Sequence, residues 1–283
     1  YSFAKKNNSK LYVDNESGFY KKRNKYELHN FNISAEIAEV NNKFLGEIGK
    51  LKRRILIKFN NYFKNKFFLI ESLDKEKLTY YQPDQFNINF KEKIYFEGYF
   101  QTEKYYKSRE EELIKELTFK KEIVEQHNKY IKQIVNSNSV SLHFRQDKFH
   151  INDGFTDYKQ MSVDFTKKNI EHAKKGIEYF DKVLDKPVYF LWSNKYDGLR
   201  EYFPDNKFIF VDSNLHKDPA YDLYLISLCK NFILSPSTFH YWGAYFSRTK
   251  NKICLSPNKN FNVSGYYGFS NNKDIKADWW IEI

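Results

Sequence analysis

The stretch "SVSLHFRQDKFH", residues 139–150, joins an apolar run to a polar cluster, and it decides how the second half of the chain is expected to fold. "VSLHF" has the length and composition of a buried strand. The polar residues at its end are His143, Arg145, Gln146 and Asp147. In parallel sheets ligands bind outside the carboxyl ends of strands, so this is a ligand position. Arg145 offers a forked, permanent charge suited to phosphate oxygens. The alternative is a simple surface pair between Arg145 and Asp147.

Short apolar strands and helices alternate after this stretch. The predicted strands are "VSLHF", "VYFLW", "KFIFVD", "NFILS" and "NKICL", and the predicted helices cover 163–183, 196–203, 220–229 and 239–246. This alternation is typical of a mostly parallel sheet with helices on both faces. We therefore expect an α/β protein in which residues 137–283 form a doubly wound domain.

The first 136 residues are less regular. "YSFAKKNN" reads as a helix and "KLYVD" as a strand, while 35–66 favours short helices with a basic face around Lys50, Lys52, Arg53 and Arg54. Such a face suits a membrane surface, and the alternative is a solvated helix surface. Residues 67–101 alternate aromatic and polar side chains, as strands do, and 102–135 has the apolar spacing of a helical region. Residues 1–136 are thus predicted to be a separate α/β and helical domain.

Charge and cysteine content limit the function classes. The 283 residues include 47 Lys and Arg and 36 Asp and Glu, which gives a net charge of +11. This excess of positive charge suits a nucleic acid, an anionic membrane surface or a phosphorylated ligand. A nucleic-acid-binding module is the less favoured reading, because the basic residues do not interleave with aromatics. Cys229 and Cys254 lie in apolar runs without zinc spacing, which predicts buried, reduced thiols. No apolar run approaches the roughly 18 residues that span a bilayer, so a cytoplasmic location is expected.

A second cluster follows the strand "NFILS". In "NFILSPSTFHYWGAYF", residues 231–246, Ser235, Ser237 and Thr238 lie at a helix start. Hydroxyls and free amides there, with the positive end of the helix dipole, form an anion site. The alternative is ordinary N-capping by Ser237 or Thr238. Upstream, Asp222 lies on a helix and could accept the paired N–H groups of a guanine edge.

These segments resemble the α-1,2-fucosyltransferase family. The resemblance rests on "SVSLHFRQ" (139–146), "DLYLISLCKNFILSPSTFHYWGA" (222–244) and "NKICLSP" (251–257). "YSFAKKNNSKLYVDNESGF" and "YELHNFNI" resemble the segment after that family's N-terminal glycine-rich loop, which is expected just before Tyr1 and is not in this sequence. The similarity covers nearly the whole chain.

The resemblance implies a GT-B-like fold, with two α/β domains facing across a cleft. It also implies transfer of L-fucose from the donor GDP-β-L-fucose with inversion, without a metal or other cofactor. Carried over by position, Arg145 would grip the β-phosphate, and His143 and Asp222 would address the guanine side. The remaining nucleotide contacts would come from Ser193, Asn194, Ser237, Thr238 and Phe239.

Three positions depart from the family pattern. Gln146 replaces a second arginine, which leaves Lys148 as the replacement cation, and His240 replaces a serine. The carboxylate of Asp147 stands one position earlier than the family's. Asp147 is the expected catalytic partner of Arg145, and Asp14 and Glu16 are the alternative bases.

The expected enzyme is a bacterial-type fucosyltransferase that acts on galactose O2 of a glycan. We expect lipopolysaccharide or capsule glycans, including lipid-linked ones, as acceptors, with peripheral contact at the inner membrane face and no nucleic-acid partner. A related GDP-sugar transferase, or a catalytically weak homologue that binds nucleotide or glycan, is the alternative.

Overall fold

The computed structural model describes residues 1–19, 25–71, 81–126, 129–150, 156–212, 218–258, 261, 274 and 276–283. The chain divides into two compact units. Unit 1 contains Tyr1–Lys120 and a short segment with Asp274, and unit 2 contains the rest from Lys121 onward. The two units divide after Lys120, which is earlier in the chain than the boundary expected after residue 136. The expectation that residues 1–136 serve the acceptor and residues 137–283 bind the GDP-sugar stays a prediction.

Unit 1 holds two short parallel strand pairs. The strands β1 (Tyr12–Val13) and β2 (Glu36–Ile37) form one pair, and β3 (Phe68–Ile70) and β4 (Tyr95–Glu97) form the other. Its α-helices are α1 (Ser2–Lys6), α2 (Gly46–Phe59) and α3 (Glu110–Glu116). Aromatic rings supply much of the packing. The ring centroids of Phe3 and Phe96 lie 4.9 Å apart, as do those of Phe44 and Tyr95. The helix and strand expected at the start of the chain are confirmed.

The helical region expected over 102–135 is interrupted. It contains 3-10 turns at Glu103–Tyr105 and Lys107–Arg109, then α3, α4 (Lys121–Val124) and α5 (Lys129–Val135). Between α3 and α4, Phe119 forms a bridge with Phe31, and their rings lie 4.8 Å apart. The amide of Asn32 also donates to the carbonyl of Thr118 at 2.8 Å. These tertiary contacts override the local helical preference.

Unit 2 contains a six-stranded sheet in which every pairing is parallel. Its strands are β5 (Asn138–Phe144), β6 (Pro187–Ser193), β7 (Phe208–Phe210), β8 (Asn231–Ile233), β9 (Cys254–Ser256) and β10 (Ile281–Glu282). The helices among them are α6 (Tyr158–Val183), α7 (Leu199–Tyr202), α8 (Ala220–Leu228) and α9 (Thr238–Phe246). The five predicted strands and the helices between them are confirmed, and β10 was missed.

The strand order β10-β9-β8-β5-β6-β7 reverses between β5 and β8. From β5 the chain proceeds to β6 and β7 on one side, and then returns to β8 on the other. Because parallel crossovers are right-handed, α6 and α9 belong on opposite faces of the sheet. The α/β class with a parallel sheet is therefore confirmed, while the GT-B arrangement stays a prediction.

The core of unit 2 lies between this sheet and α6. It combines buried strand residues with one face of the helix: Val140, Leu142, Phe144, Tyr189, Leu191, Ile233, Leu255, Ile170, Ala173, Ile177 and Phe180. Gly176 allows close approach, since a Cβ there would stand 2.7–2.8 Å from side-chain carbons of Ile233. Cys229 and Cys254 are buried and free, as expected. Within the described part of the chain, no helix has both the length and the apolar composition to span a bilayer.

Candidate functional site

The carboxyl ends of three neighbouring strands lie at one edge of the sheet. On β5, Leu142 is paired with Ile233 of β8, and Phe144 is paired with Ser193 of β6. The loops that follow these strands therefore leave the sheet together. Ligands of doubly wound sheets bind at such an edge where the strand order reverses, which here is between β5 and β8.

His143 joins the tip of β5 to the start of α9. Its Nδ1 lies 3.2 Å from Ser235 Oγ, and its ring centroid lies 5.9 Å from that of Phe239. Burial, aided by the positive charges of Arg145 and Lys148, lowers the pKa of His143 to about 4. The imidazole is therefore neutral at pH 7 and can both donate and accept a hydrogen bond. The structure thus brings His143 of the first cluster into contact with Ser235 of the second.

His240 ties the same two segments from inside the protein. Its Nδ1 accepts from the amide of Ser235 at 3.3 Å, so Nε2 carries the hydrogen and donates to Ser141 Oγ at 2.9 Å. Burial holds the pKa of His240 well below its usual range. The sequence marked His240 only as a departure from a serine. Its position inside the apolar run "FHYWGAYF" was the available signal for a buried, neutral histidine.

The start of α9 is uncapped. Ser237 occupies the N-cap position, but its side chain makes no capping hydrogen bond. Ser237 is half-buried and Thr238 is exposed, and neither hydroxyl has a hydrogen-bond partner among the described residues. The N-capping alternative is therefore wrong. The hydroxyls and first-turn amides stay available to an anion at the positive end of the nine-residue helix.

Arg145 is exposed and forms no ion pair within the described ranges. Its guanidinium lies close enough to His143 to lower the pKa of the imidazole. Asp147 pairs with Lys195 and not with Arg145, so the surface pair considered from the sequence is wrong. This contact raises the pKa of Lys195. Among the described residues of this loop, Arg145 is therefore a cation without an ionic partner.

Gln146 holds the loop after β5 against the loop after β6. The backbone amide of Gln146 donates to Asn194 Oδ1 at 2.8 Å, and Asn194 Nδ2 donates to the backbone carbonyl of Gln146 at 3.0 Å. Gln146 Nε2 donates to the carbonyls of Lys195 and Asp197, each at 3.1 Å. Ser193 Oγ accepts from the Lys195 amide at 3.2 Å. These side chains fix the backbone beside Arg145, and their direct contacts with a ligand stay predictions.

Asp222 lies close to Tyr196, whose hydroxyl contacts backbone carbonyls of β6 and of the residue after β7. It is half-buried in the first turn of α8, and together with burial it raises the pKa of Tyr196. The Tyr196 hydroxyl is 2.9 Å from the carbonyl of Leu191 on β6 and also contacts the carbonyl of Val211, directly after β7. If Asp222 contacts guanine, the bound nucleotide would therefore lie along the sheet edge from β5 towards β7.

A small cavity of about 160 Å³ lies at the ends of β9 and β10, with Lys168 and Lys175 of α6 in its wall. His172, between them, donates from Nε2 to the carbonyl of Leu234 at 3.0 Å, since a carbonyl can only accept. Burial lowers the pKa of His172 to about 4. Because Leu234 directly precedes Ser235, His172 also helps to fix the turn after β8.

The alternative bases lie in unit 1. Asp14 Oδ1 accepts the amides of Glu16 and Ser17 at 3.0 and 2.8 Å, and Glu16 pairs with Lys43 at 2.5 Å. Asp14 also lines an aromatic-rich cavity of about 690 Å³ within unit 1. Glu16 is thus part of an ion pair, whereas the hydrogen bonds of Asp14 come from backbone amides.

Comparison with known proteins identifies the family of the chain. The family described as glycosyl transferase family 11 matches residues 14–283. The chain belongs to glycosyl transferase family 11. The resemblance drawn from the motifs is thereby confirmed. Over 150 residues the chain is 25% identical to the O-antigen biosynthesis glycosyltransferase WbnK of Escherichia coli, which covers 52% of this chain and 45% of that protein. The match thus spans less than half of the length of that relative.

Proposed function

We propose that this family 11 glycosyltransferase transfers L-fucose from GDP-β-L-fucose to a glycan hydroxyl, with galactose O2 as the expected position. The observation that supports the proposal is that an arginine without an ion pair in the described ranges and an uncapped helix start follow neighbouring strands of the sheet. Both groups favour phosphate oxygens. Membership of family 11 supports the chemical class. The exposed arginine and the uncapped helix start support a donor that carries a diphosphate.

In the proposed complex Arg145 contacts the β-phosphate of the donor. The amides of Thr238 and Phe239 and the hydroxyl of Ser237 complete the cradle. Neutral His143 adds a hydrogen bond without adding a cation, and Asp222 accepts from the guanine. Gln146 and Asn194 keep the loop in place through their mutual hydrogen bonds.

The reaction proceeds with inversion and without a metal. The acceptor oxygen bonds to the anomeric carbon from the face opposite GDP, and the bond from that carbon to the β-phosphate oxygen breaks. The electron pair of the broken bond leaves with GDP, where Arg145 and the dipole of α9 stabilise the charge. A carboxylate takes the acceptor proton. Asp147 is the proposed base, and Asp14 and Glu16 are the alternatives.

The proposed acceptor is a lipopolysaccharide or capsule glycan on a lipid carrier at the cytosolic membrane face. The name of the Escherichia coli relative, an O-antigen glycosyltransferase, supports this class of glycan. The net charge of +11 suits an anionic membrane surface.

A transfer assay tests the function. The protein is incubated with GDP-fucose and galactose-terminated oligosaccharides, with and without a chelator. Product mass is measured, and the anomeric configuration is read by NMR. We expect an α-linked fucosyl product that forms equally well with chelator. GDP-mannose in a parallel reaction tests the related-donor alternative. Absence of both transfer and GDP binding contradicts the proposal.

One observation favours a second candidate, a homologue that binds the nucleotide with weak or no turnover. Both N–H groups of the Gln146 side chain are engaged by backbone carbonyls, so it does not replace the missing second arginine. Asp147 is also paired with Lys195. GDP binding by calorimetry without any fucosyl product would support this candidate.

A further inference from the structure

Helix α2 presents an apolar stripe to solvent. Ile48 and Leu51 are 86% and 56% exposed, and Ile55 and Phe59 are also exposed. Spacings of three and four residues place these side chains on one helix face. Exposed Tyr62 continues the stripe beyond the helix. A row of large apolar side chains of this kind is unusual on a solvent-facing helix and indicates an interaction surface.

The opposite face of α2 is anchored to unit 1, which keeps the stripe outward. Arg53 Nε donates to Glu97 Oε2 at 2.9 Å, and this joins the helix to β4. Gly49 faces the backbone of Phe44, where a Cβ would approach to 2.5 Å. Leu56 and Ile57 are half-buried. The helix therefore has a packed face of its own, and the exposed stripe does not belong to it.

Cations flank the stripe. Lys52, Arg54 and Lys58 are exposed and form no ion pair within the part of the chain that is described. The acidic residue of the helix, Glu47, pairs with Lys50 at 2.8 Å. Glu47 also interacts with Arg54, since its pKa is lowered by Lys50 and, to a smaller extent, by Arg54. Lys52 and Lys58 therefore remain as the cations on the flanks of the stripe without a carboxylate partner in the described ranges. An apolar row with such cations beside it complements an interface that has an apolar interior and an anionic surface. Anionic phospholipid bilayers have this structure, and helices with this pattern lie in their interface plane.

We propose that α2 binds the surface of an anionic phospholipid bilayer. Ile48, Leu51 and Ile55 enter the boundary between headgroups and acyl chains, and the flanking cations contact lipid phosphates. This inference names the surface for the membrane contact included in the proposed function. It requires neither the sugar donor nor turnover, so it can fail while the transferase activity stands.

The test is co-sedimentation with vesicles, without donor or acceptor. One vesicle contains phosphatidylglycerol and phosphatidylcholine in equal amounts, and the other contains phosphatidylcholine alone. We expect the protein to bind the anionic vesicle and the double substitution Ile48→Ser with Leu51→Ser to weaken binding at least about tenfold. The matched control, Val163→Ser with Val183→Ser, changes valines of α6 that are 46% and 51% exposed, and it should retain binding.

Two variants that each lose two lysines test the electrostatic part of the proposal apart from the apolar part. Lys52→Gln with Lys58→Gln should lose most binding to anionic vesicles at low salt. Lys167→Gln with Lys182→Gln removes the same charge from exposed positions of α6 and should retain binding. Equal losses in the two variants would overturn the assignment of the surface to α2.

Two further outcomes would also overturn it. One is equal binding to both vesicles. The other is self-association that the Ile48 and Leu51 substitutions abolish, seen by analytical ultracentrifugation without any vesicle binding, which would make α2 an interface between copies of the chain. Urea unfolding of each variant shows that it is folded, and GDP affinity, measured separately, reports on the nucleotide site.

Discussion

Arg145 and Gln146 are neighbours in the chain, yet the structure gives them different tasks. The guanidinium of Arg145 is uncommitted among the described residues, while the Gln146 side chain is held by two carbonyls of the loop after β6. The sequence correctly placed both residues at a strand tip. It could not show the partners of Gln146, because Asn194 and Asp197 are 48 and 51 positions away in the chain. Side-chain partners at this separation depend on the fold and not on the local pattern.

At Asp147 the question is whether the carboxylate accepts the acceptor proton or only holds Lys195. We predict that Asp147→Asn lowers kcat for fucosyl transfer at least about a hundredfold, because an amide cannot accept that proton. The KM for GDP-fucose should change little. Lys195→Gln is the control, since it removes the ion pair and keeps the carboxylate, and it should stay within a few-fold of wild type. Equal losses in both variants would assign Asp147 a positioning role.

At the scale of elements, α6 rests on β8 through Gly176. Alanine normally favours a helix over glycine by about 1 kcal/mol, but here a Cβ would meet the side chain of Ile233 at 2.7–2.8 Å. We predict that Gly176→Ala lowers the free energy of unfolding by about 1–3 kcal/mol, measured by urea denaturation.

The control for Gly176 is the same substitution in an Ile233→Ala background, where the opposing carbons are gone. There the added methyl group should be neutral or stabilising. The same loss in both backgrounds would show that Ile233 does not cause the strain. The double-mutant cycle isolates this pair from the separate cost of truncating Ile233.

The elements of unit 2 could be read from the sequence because apolar strands and amphipathic helices differ in period. The interruption of the expected helical region near Phe119 could not be predicted from the sequence, because its cause is a contact with Phe31, far away in the chain. β10 was missed because two residues give no periodicity, and its parallel pairing with β9 defines it. The interaction surface of α2 also depends on tertiary structure, since the sequence showed a basic helix but not which side packs.

For the whole molecule, buried histidines make stability depend on pH. His143 and His172 both have a pKa of about 4, against an ordinary value of 6.5. Below pH 6.5 the unfolded chain takes up protons that the folded protein does not. Stability is therefore full above pH 6.5 and is lost as the pH falls towards 4, by roughly 1.4 kcal/mol per pH unit for each such histidine.

This pH dependence is measured by urea unfolding at several pH values. We predict that His172→Gln has a smaller loss of stability between pH 7 and 5 than wild type. The glutamine amide can still donate to the carbonyl of Leu234, so the variant should fold. An unchanged slope would show that His172 is not a source of the effect.

The strand order is the whole-molecule feature on which the site depends. The sequence predicted a parallel sheet with ligand-facing strand ends, but it did not fix which strands are neighbours. In the structure β5 lies between β6 and β8, and so the residues after "VSLHF" and "NFILS" meet. The convergence of Arg145 with Ser237 and Thr238, which the sequence predicted, stays a prediction, and the contacts of His143 with Ser235 and Phe239 support it.

Calorimetric titration with GDP and GMP tests the diphosphate site most directly. The two nucleotides differ by the β-phosphate, the group assigned to Arg145. We predict that wild type binds GDP about 10–100-fold more tightly than GMP, as expected for one charge-assisted contact. Arg145→Ala should remove this preference and leave GMP affinity nearly unchanged, while Lys52→Ala should keep it. An Arg145→Ala protein that still prefers GDP as strongly as wild type would contradict the assignment.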